Sequence, residues 1–141
     1  MEKEKLVELA FEAKKRSYSP YSHFGVGAAL ITKDGKVYQG CNIENAAFTP
    51  TNCAERTAFF KAISEGDTEF DAIAIAGGPT DGRSYDSFCS PCGVCLQVMM
   101  EFCNPDTFDV ILTKSPEEYQ TVKLKELLPK GFGPTDMNNK M

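Results

Sequence analysis

Gly25-Val26-Gly27-Ala28-Ala29-Leu30-Ile31-Thr32, then Lys33-Asp34-Gly35-Lys36, then Val37-Tyr38-Gln39-Gly40-Cys41-Asn42-Ile43 is the stretch from which the fold can be read. Two β-favouring runs flank Asp-Gly, whose glycine tolerates the positive φ of a tight turn, so 25–32 and 37–43 are predicted as a hairpin. Upstream, Leu6, Leu9, Ala10 and Ala13 recur at helical spacing between about Glu2 and Arg16, and Pro20 bars continuation. Downstream, Ala58, Phe59, Ala62 and Ile63 share one side of a second helix over 53–65, with Gly66 as its stop. Asp71 to Gly77 reads as a buried strand, and Gly77-Gly78-Pro79 opens a loop to about Ser90. Pro91 is predicted as the first residue of a helix to about Cys103, followed by an apolar strand over 108–114. A fifth strand over 119–124 and a helical turn over 125–128 come next, and the polar tail after about 133 is expected to be loose. The expected class is α/β: three layers, α/β/α, around a mixed five-stranded sheet in which an antiparallel hairpin is followed by parallel crossovers.

The chain has 141 residues, enough for about one domain, so 1–141 is read as a single unit. With 42% hydrophobic and 25% charged residues it lies far from the compositions that stay disordered. A chain of this size buries about two-thirds of its unfolded surface, so a metal would need a purpose beyond stability. The formal net charge of −5, with no Lys/Arg-rich run, disfavours nucleic acid as a partner. The most apolar run, Ala72-Ile73-Ala74-Ile75-Ala76, is far short of the roughly 18 residues of a membrane span. Met1-Glu2-Lys3-Glu4-Lys5 leads into a charged helical pattern without an apolar signal region, and a cytoplasmic location is expected.

In a reducing compartment Cys41, Cys53, Cys89, Cys92, Cys95 and Cys103 point to metal binding or catalysis rather than a disulfide framework. The one histidine, His23, reads as a hydrogen-bonded loop residue, and Cys41 and Cys103 as buried small apolar residues. Chemistry concentrates at two helix starts, Cys53-Ala54-Glu55 and Pro91-Cys92-Gly93-Val94-Cys95. Cysteines at i and i+3 share a helical face and can grip one tetrahedral ion; a third thiolate from Cys53 leaves one position open, as in catalytic zinc sites. Helix N-termini favour thiolates. Glu55, two residues from a ligand, is placed to move protons between a zinc-activated water and a leaving group. The plainer readings are a structural zinc knuckle or redox pair at Cys-x-x-Cys. Cys89 also offers a competing ligand, and with Cys53 added a closed four-cysteine site.

Cys-x-Glu followed by Pro-Cys-x-x-Cys matches the zinc deaminase signature. The chain further resembles the small homotetrameric cytidine deaminases, through Tyr18-Ser19-Pro20-Tyr21-Ser22-His23-Phe24-Gly25-Val26-Gly27-Ala28, Gly40-Cys41-Asn42-Ile43-Glu44-Asn45-Ala46-Ala47, Leu127-Leu128-Pro129 and Phe132. The resemblance implies one Zn²⁺ per chain and hydrolytic deamination of cytidine or deoxycytidine in pyrimidine salvage. It also implies Asn42 and Glu44 on the ribose hydroxyls, Phe24 against the pyrimidine and Ala54 at the substrate, with Ala46, Phe48 and Phe132 as contacts across subunits of a tetramer. The carboxylate of Glu44 would repel a phosphate, which favours nucleosides over nucleotides. Leu96 stands where the family often has an arginine beside the thiolates, leaving that role to Arg56, and Phe48 replaces a usual tyrosine. The 79–88 loop is longer than expected and contains Arg83, and nothing in the sequence fixes whether that side chain reaches the site or points elsewhere. Two alternative functions are a deaminase of another aminopyrimidine, such as a cytosine-containing antibiotic like blasticidin, and a noncatalytic zinc-stabilised oligomer.

Overall fold

The computed structural model describes residues 1–140, with side chains to 137; Met141, the last residue of the expected 1–141 unit, lies outside the described residues. In chain order the elements are α1 (Lys3–Lys14), β1 (Phe24–Thr32), β2 (Val37–Cys41), α2 (Ala54–Ser64), β3 (Phe70–Pro79), α3 (Gly93–Phe102), β4 (Asp109–Thr113), β5 (Tyr119–Lys123), α4 (Leu124–Leu127) and α5 (Pro134–Lys140). The strands form one five-stranded sheet in the order β2-β1-β3-β4-β5.

The hairpin forms as its turn demands: Gly35 has φ 93°, and β1 pairs antiparallel with β2 in the register Ala28 to Gly40 and Ile31 to Val37. Alternate residues of β1 then feed opposite faces. Ala29 and Ile31 join Leu6, Val7 and Ala10 of α1 on one side, whereas Ala28 and Leu30 join Ala58 and Phe59 of α2 and Met99 of α3 on the other. The result is the three-layer arrangement expected from the sequence.

The pairing bears out the hairpin and the parallel crossovers and adds the strand order, which the expectation left open. Only β3 and β4 are parallel neighbours; β3 is antiparallel to β1, and β5 is antiparallel to β4. The α2 connection does join two parallel strands, β2 and β3, but β1 lies between them. The cause is burial: β1 is apolar on both faces and takes an interior place, while β2 alternates between buried and half-exposed residues and suits an edge.

Two element boundaries differ from expectation. Pro91 precedes α3 instead of opening it, because Cys92 is the extended N-cap, with φ −74° and ψ 168°, and the helix begins at Gly93. The tail beyond 133 turns into α5, started by Pro134 and by the Gly133 amide donating to Asp136 Oδ2 at 2.8 Å. Among the described residues no helix is long and apolar enough to cross a membrane.

Candidate active site

A glycine in β2 lets α2 approach the sheet closely. A Cβ at Gly40 would stand 2.5 Å from the Ala54 carbonyl and 2.6 Å from the Ala58 amide, so the first turn of α2 rests on the backbone of β2. That contact fixes the start of α2, where Cys53 is the N-cap in extended conformation, with φ −78° and ψ 156°. Both site helices thus have cysteine at the N-cap, where Ser, Thr, Asp or Asn is usual, and neither cysteine caps its helix through its side chain. Each sulfur is left to point at the other.

The Cys53 and Cys92 sulfurs are 3.8 Å apart, and those of Cys92 and Cys95 are 3.6 Å apart. All three lie within 4.8 Å of one another, and Cys89 is not in the cluster. A tetrahedral zinc binding sulfur at about 2.3 Å spaces its ligands about 3.8 Å apart, so the soft donor set and its geometry both fit this ion. Cys89 lies outside this three-thiol cluster, an arrangement that favours an open site over a closed four-cysteine one. Cys89 is instead buried at the end of the sheet, where a Cβ on Gly77 would come within 2.6 Å of its sulfur, and burial pushes its thiol pKa up to about 12.

Arg56 donates from Nη2 to Cys53 Sγ at 3.4 Å, while its Nε is buried without a hydrogen-bond partner among the described residues. Hydrogen bonding from Cys95, aided by Arg56, lowers the Cys53 pKa to about 5, and Cys95 correspondingly retains its proton. Two thiols sharing one negative charge are a protonated form of a site built for a divalent cation. Leu96, where a second arginine was considered, is in the hydrophobic core. Arg56 is therefore the guanidinium beside these sulfurs.

Glu55 is 4% exposed, and desolvation raises its pKa to about 7. It lines a cavity of about 340 Å³ together with Phe24, Asn42, Glu44, Cys53 and Ala54. Residues beyond the end of β2 hold the polar wall: the Ile43 amide donates to Asn52 O at 3.0 Å, and the Glu44 amide to Tyr18 O at 2.9 Å. Asn42 Oδ1 accepts from the Val26 amide and the Ser17 hydroxyl, and Nδ2 donates to Phe24 O. Among the described residues one Nδ2 hydrogen has no partner, which makes Asn42 a donor toward the cavity. Glu44 accepts from the Tyr21 and Ser22 amides and from the Ser22 hydroxyl, chiefly the last of which holds its pKa below the usual carboxylate value. It is an acceptor with lone pairs to spare.

The structure thus brings together Phe24, Asn42, Glu44, Cys53, Ala54, Glu55, Arg56, Cys92 and Cys95. It does not bring Ala46, Phe48 or Phe132 into this cavity: Phe48 is 73% exposed, and the carbonyl of Phe132 accepts from Gln97 Nε2. A second hollow, lined by Tyr21, Ser22, Glu44, Phe48 and Thr51, shares Glu44 and Thr51 with the first. Arg83 is turned away, with its Nε 2.7 Å from Asp81 Oδ2. The loop residue that does line the cavity is Tyr85, which the sequence reading passed over. Its signal was an aromatic residue in an otherwise polar loop just before the Pro-Cys motif. Cys41, expected to be buried, is half-buried with its thiol donating to Arg16 O at 3.4 Å. His23, as expected, is a hydrogen-bonded loop residue, its amide on Ser19 O.

A three-thiol metal centre beside a buried carboxylic acid, at two helix starts over one mixed sheet, defines a zinc-dependent deaminase. A family model described as the cytidine and deoxycytidylate deaminase zinc-binding region matches residues 1–110. A cytidine deaminase of Sporosarcina psychrophila is 46% identical over 138 residues, covering 98% of this chain and 96% of the relative. Another from Halalkalibacterium halodurans is 46% identical over 139 residues, covering 99% of this chain and all, 100%, of the relative. The crystal structure of a cytidine deaminase from Burkholderia pseudomallei superposes with a TM-score of 0.84 at 44% identity, covering 94% of this chain and 100% of that one. The chain belongs to the cytidine and deoxycytidylate deaminase family.

Proposed function

We propose that this chain is a cytidine deaminase, a single deaminase domain that hydrolyses cytidine or deoxycytidine to uridine or deoxyuridine with release of ammonia. The observation that carries the reading is the buried Glu55 in one cavity with Cys53 and Cys92 of the three-thiol cluster and with the Asn42–Glu44 pair. Cys53, Cys92 and Cys95 would hold the zinc, which would supply Lewis acidity to a water at neutral pH. Glu55 is placed to take a proton from the attacking water as the water oxygen bonds to the ring carbon bearing the amine, and to give that proton to the adjacent ring nitrogen. It then moves the proton of the newly added hydroxyl to the amine as the C–N bond breaks and the C–O bond becomes a carbonyl, so water and cytidine balance against uridine and ammonia. Its raised pKa suits both directions of transfer.

Substrate orientation comes from Phe24 along the pyrimidine, Ala54 at the start of α2, and a donor–acceptor pair on the ribose: the free Nδ2 hydrogen of Asn42 and the Glu44 carboxylate. The ionised Glu44 disfavours a phosphorylated sugar. Arg56 offsets the negative charge of the thiolates. Exposed Ala46, Phe48 and Phe132 support a homo-oligomer, a tetramer on the family pattern, in which neighbours complete the pocket. The acidic chain is assigned to the cytoplasm.

The test follows the fall of near-ultraviolet absorbance when zinc-replete protein is mixed with cytidine. The parent turns over, whereas Glu55→Gln keeps its zinc and loses at least about 10²-fold in kcat. A Glu55→Gln variant within tenfold of the parent would remove Glu55 from the proton path.

A further inference from the structure

The loop between β3 and α3 contributes Tyr85, Cys89 and Ser90 to the lining of the cavity. Its start is pinned by the Thr80 amide on His23 O at 2.9 Å, and its end by the Cys89 amide on Thr113 O at 2.9 Å. Between these points the Arg83 amide donates to Asp81 Oδ1 at 3.1 Å, and Lys114 pairs with Asp86 at 3.2 Å. The loop is therefore shaped at several points, and one side chain from its middle turns inward.

That side chain is Tyr85. Its ring meets Phe24 edge to face, with centroids 4.9 Å apart and planes at 74°. Glycines at the end of β3 leave the room this needs: a Cβ on Gly77 would stand 3.1 Å from the Phe24 ring, and one on Gly78 would stand 3.3 Å from Tyr85 Cβ. Half-buried Tyr85 lines the same cavity as Phe24, Glu55 and Asn42. A tyrosine there presents an apolar ring inward and keeps its hydroxyl near water.

We infer that Tyr85 is a further substrate-binding residue, the second aromatic wall of the base pocket. It contacts the pyrimidine nucleoside itself and holds the Phe24 ring in its binding orientation. The inference rests on the cytidine deaminase reading. The ring contact Tyr85 makes is with Phe24, so its contribution belongs to binding in the ground and transition states alike. Such uniform binding alters KM and leaves kcat.

Steady-state kinetics on the zinc-replete full chain test this, with cytidine as substrate and uridine as competitive inhibitor. Tyr85→Ala is expected to raise both KM and the uridine Ki by about threefold to tenfold, the range of an aromatic pair, while kcat and zinc content stay near the parent values. Tyr85→Phe is expected to restore both constants, and Tyr85→Leu, which fills space without an aromatic ring, is not. Unchanged KM and Ki in Tyr85→Ala, a loss confined to kcat, or full rescue by leucine would each overturn the assignment while leaving the deaminase reading intact. A parent chain that does not turn over cytidine would overturn both.

Discussion

Cys89 and Cys92 are three residues apart and chemically identical, yet they have different surroundings. Cys92 is an N-cap whose sulfur faces Cys53, whereas Cys89 is buried against Gly77, and burial pushes its thiol pKa up to about 12. Cys92→Ser should therefore lose bound zinc, and Cys89→Ala should keep about one zinc per chain, as measured by metal analysis of dialysed protein. Equal metal loss from the two would return Cys89 to the ligand set. The metal residues were legible because their chemistry is local: an i, i+3 thiol pair and a Cys-x-Glu at helix starts fix direction as well as identity. Tyr85 was not, since nothing in Asp81-Gly82-Arg83-Ser84-Tyr85 ranks the aromatic ring above the guanidinium. The preference arises from Asp81, which captures Arg83, and from the space over Gly78.

At the scale of elements, two helix–sheet contacts of the same kind have different consequences. A Cβ on Gly27 would stand 2.1 Å from the Ala10 carbonyl and displace α1, which bears no site residue. A Cβ on Gly40 would displace the start of α2, which bears Cys53, Glu55 and Arg56. Each alanine substitution forces a backbone shift worth about 1–3 kcal/mol or more. Both variants should melt below the parent in calorimetry, but only Gly40→Ala should also weaken zinc binding in a chelator competition. Comparable zinc affinity in the two would mean that the seat of α2 does not set the metal geometry. The hairpin, helices and strands were readable from periodicity and Asp-Gly. Strand order was not, because β2-α2-β3 reads as a crossover whether or not another strand lies between, and the deciding fact is the two-faced burial of β1. Likewise α5 was missed because a seven-residue polar helix has no apolar stripe, and its start depends on the Asp136 bond to the Gly133 amide.

At the scale of the molecule, the cavity described above is built within one chain but is open toward the hollow beside Phe48, and Phe132 is 48% exposed outside it. A net charge of −5 is small enough for apolar faces to associate. If neighbouring chains close the pocket, light scattering should report about four chains per particle. Phe132→Ala should then raise KM for cytidine while lowering the melting temperature little, since its half-exposed ring contributes less to the core than to a neighbour's site. Hybrid oligomers separate this from a contact within the chain. In particles reassembled from Glu55→Gln and Phe132→Ala chains, turnover comes from the Phe132→Ala sites, because the other sites lack the proton carrier. Some of those active sites receive an intact Phe132 from a Glu55→Gln neighbour, so their KM should fall toward that of the parent. A KM that stays at the Phe132→Ala value in the hybrids, or full activity in a monomer, would mean that each chain completes its own site.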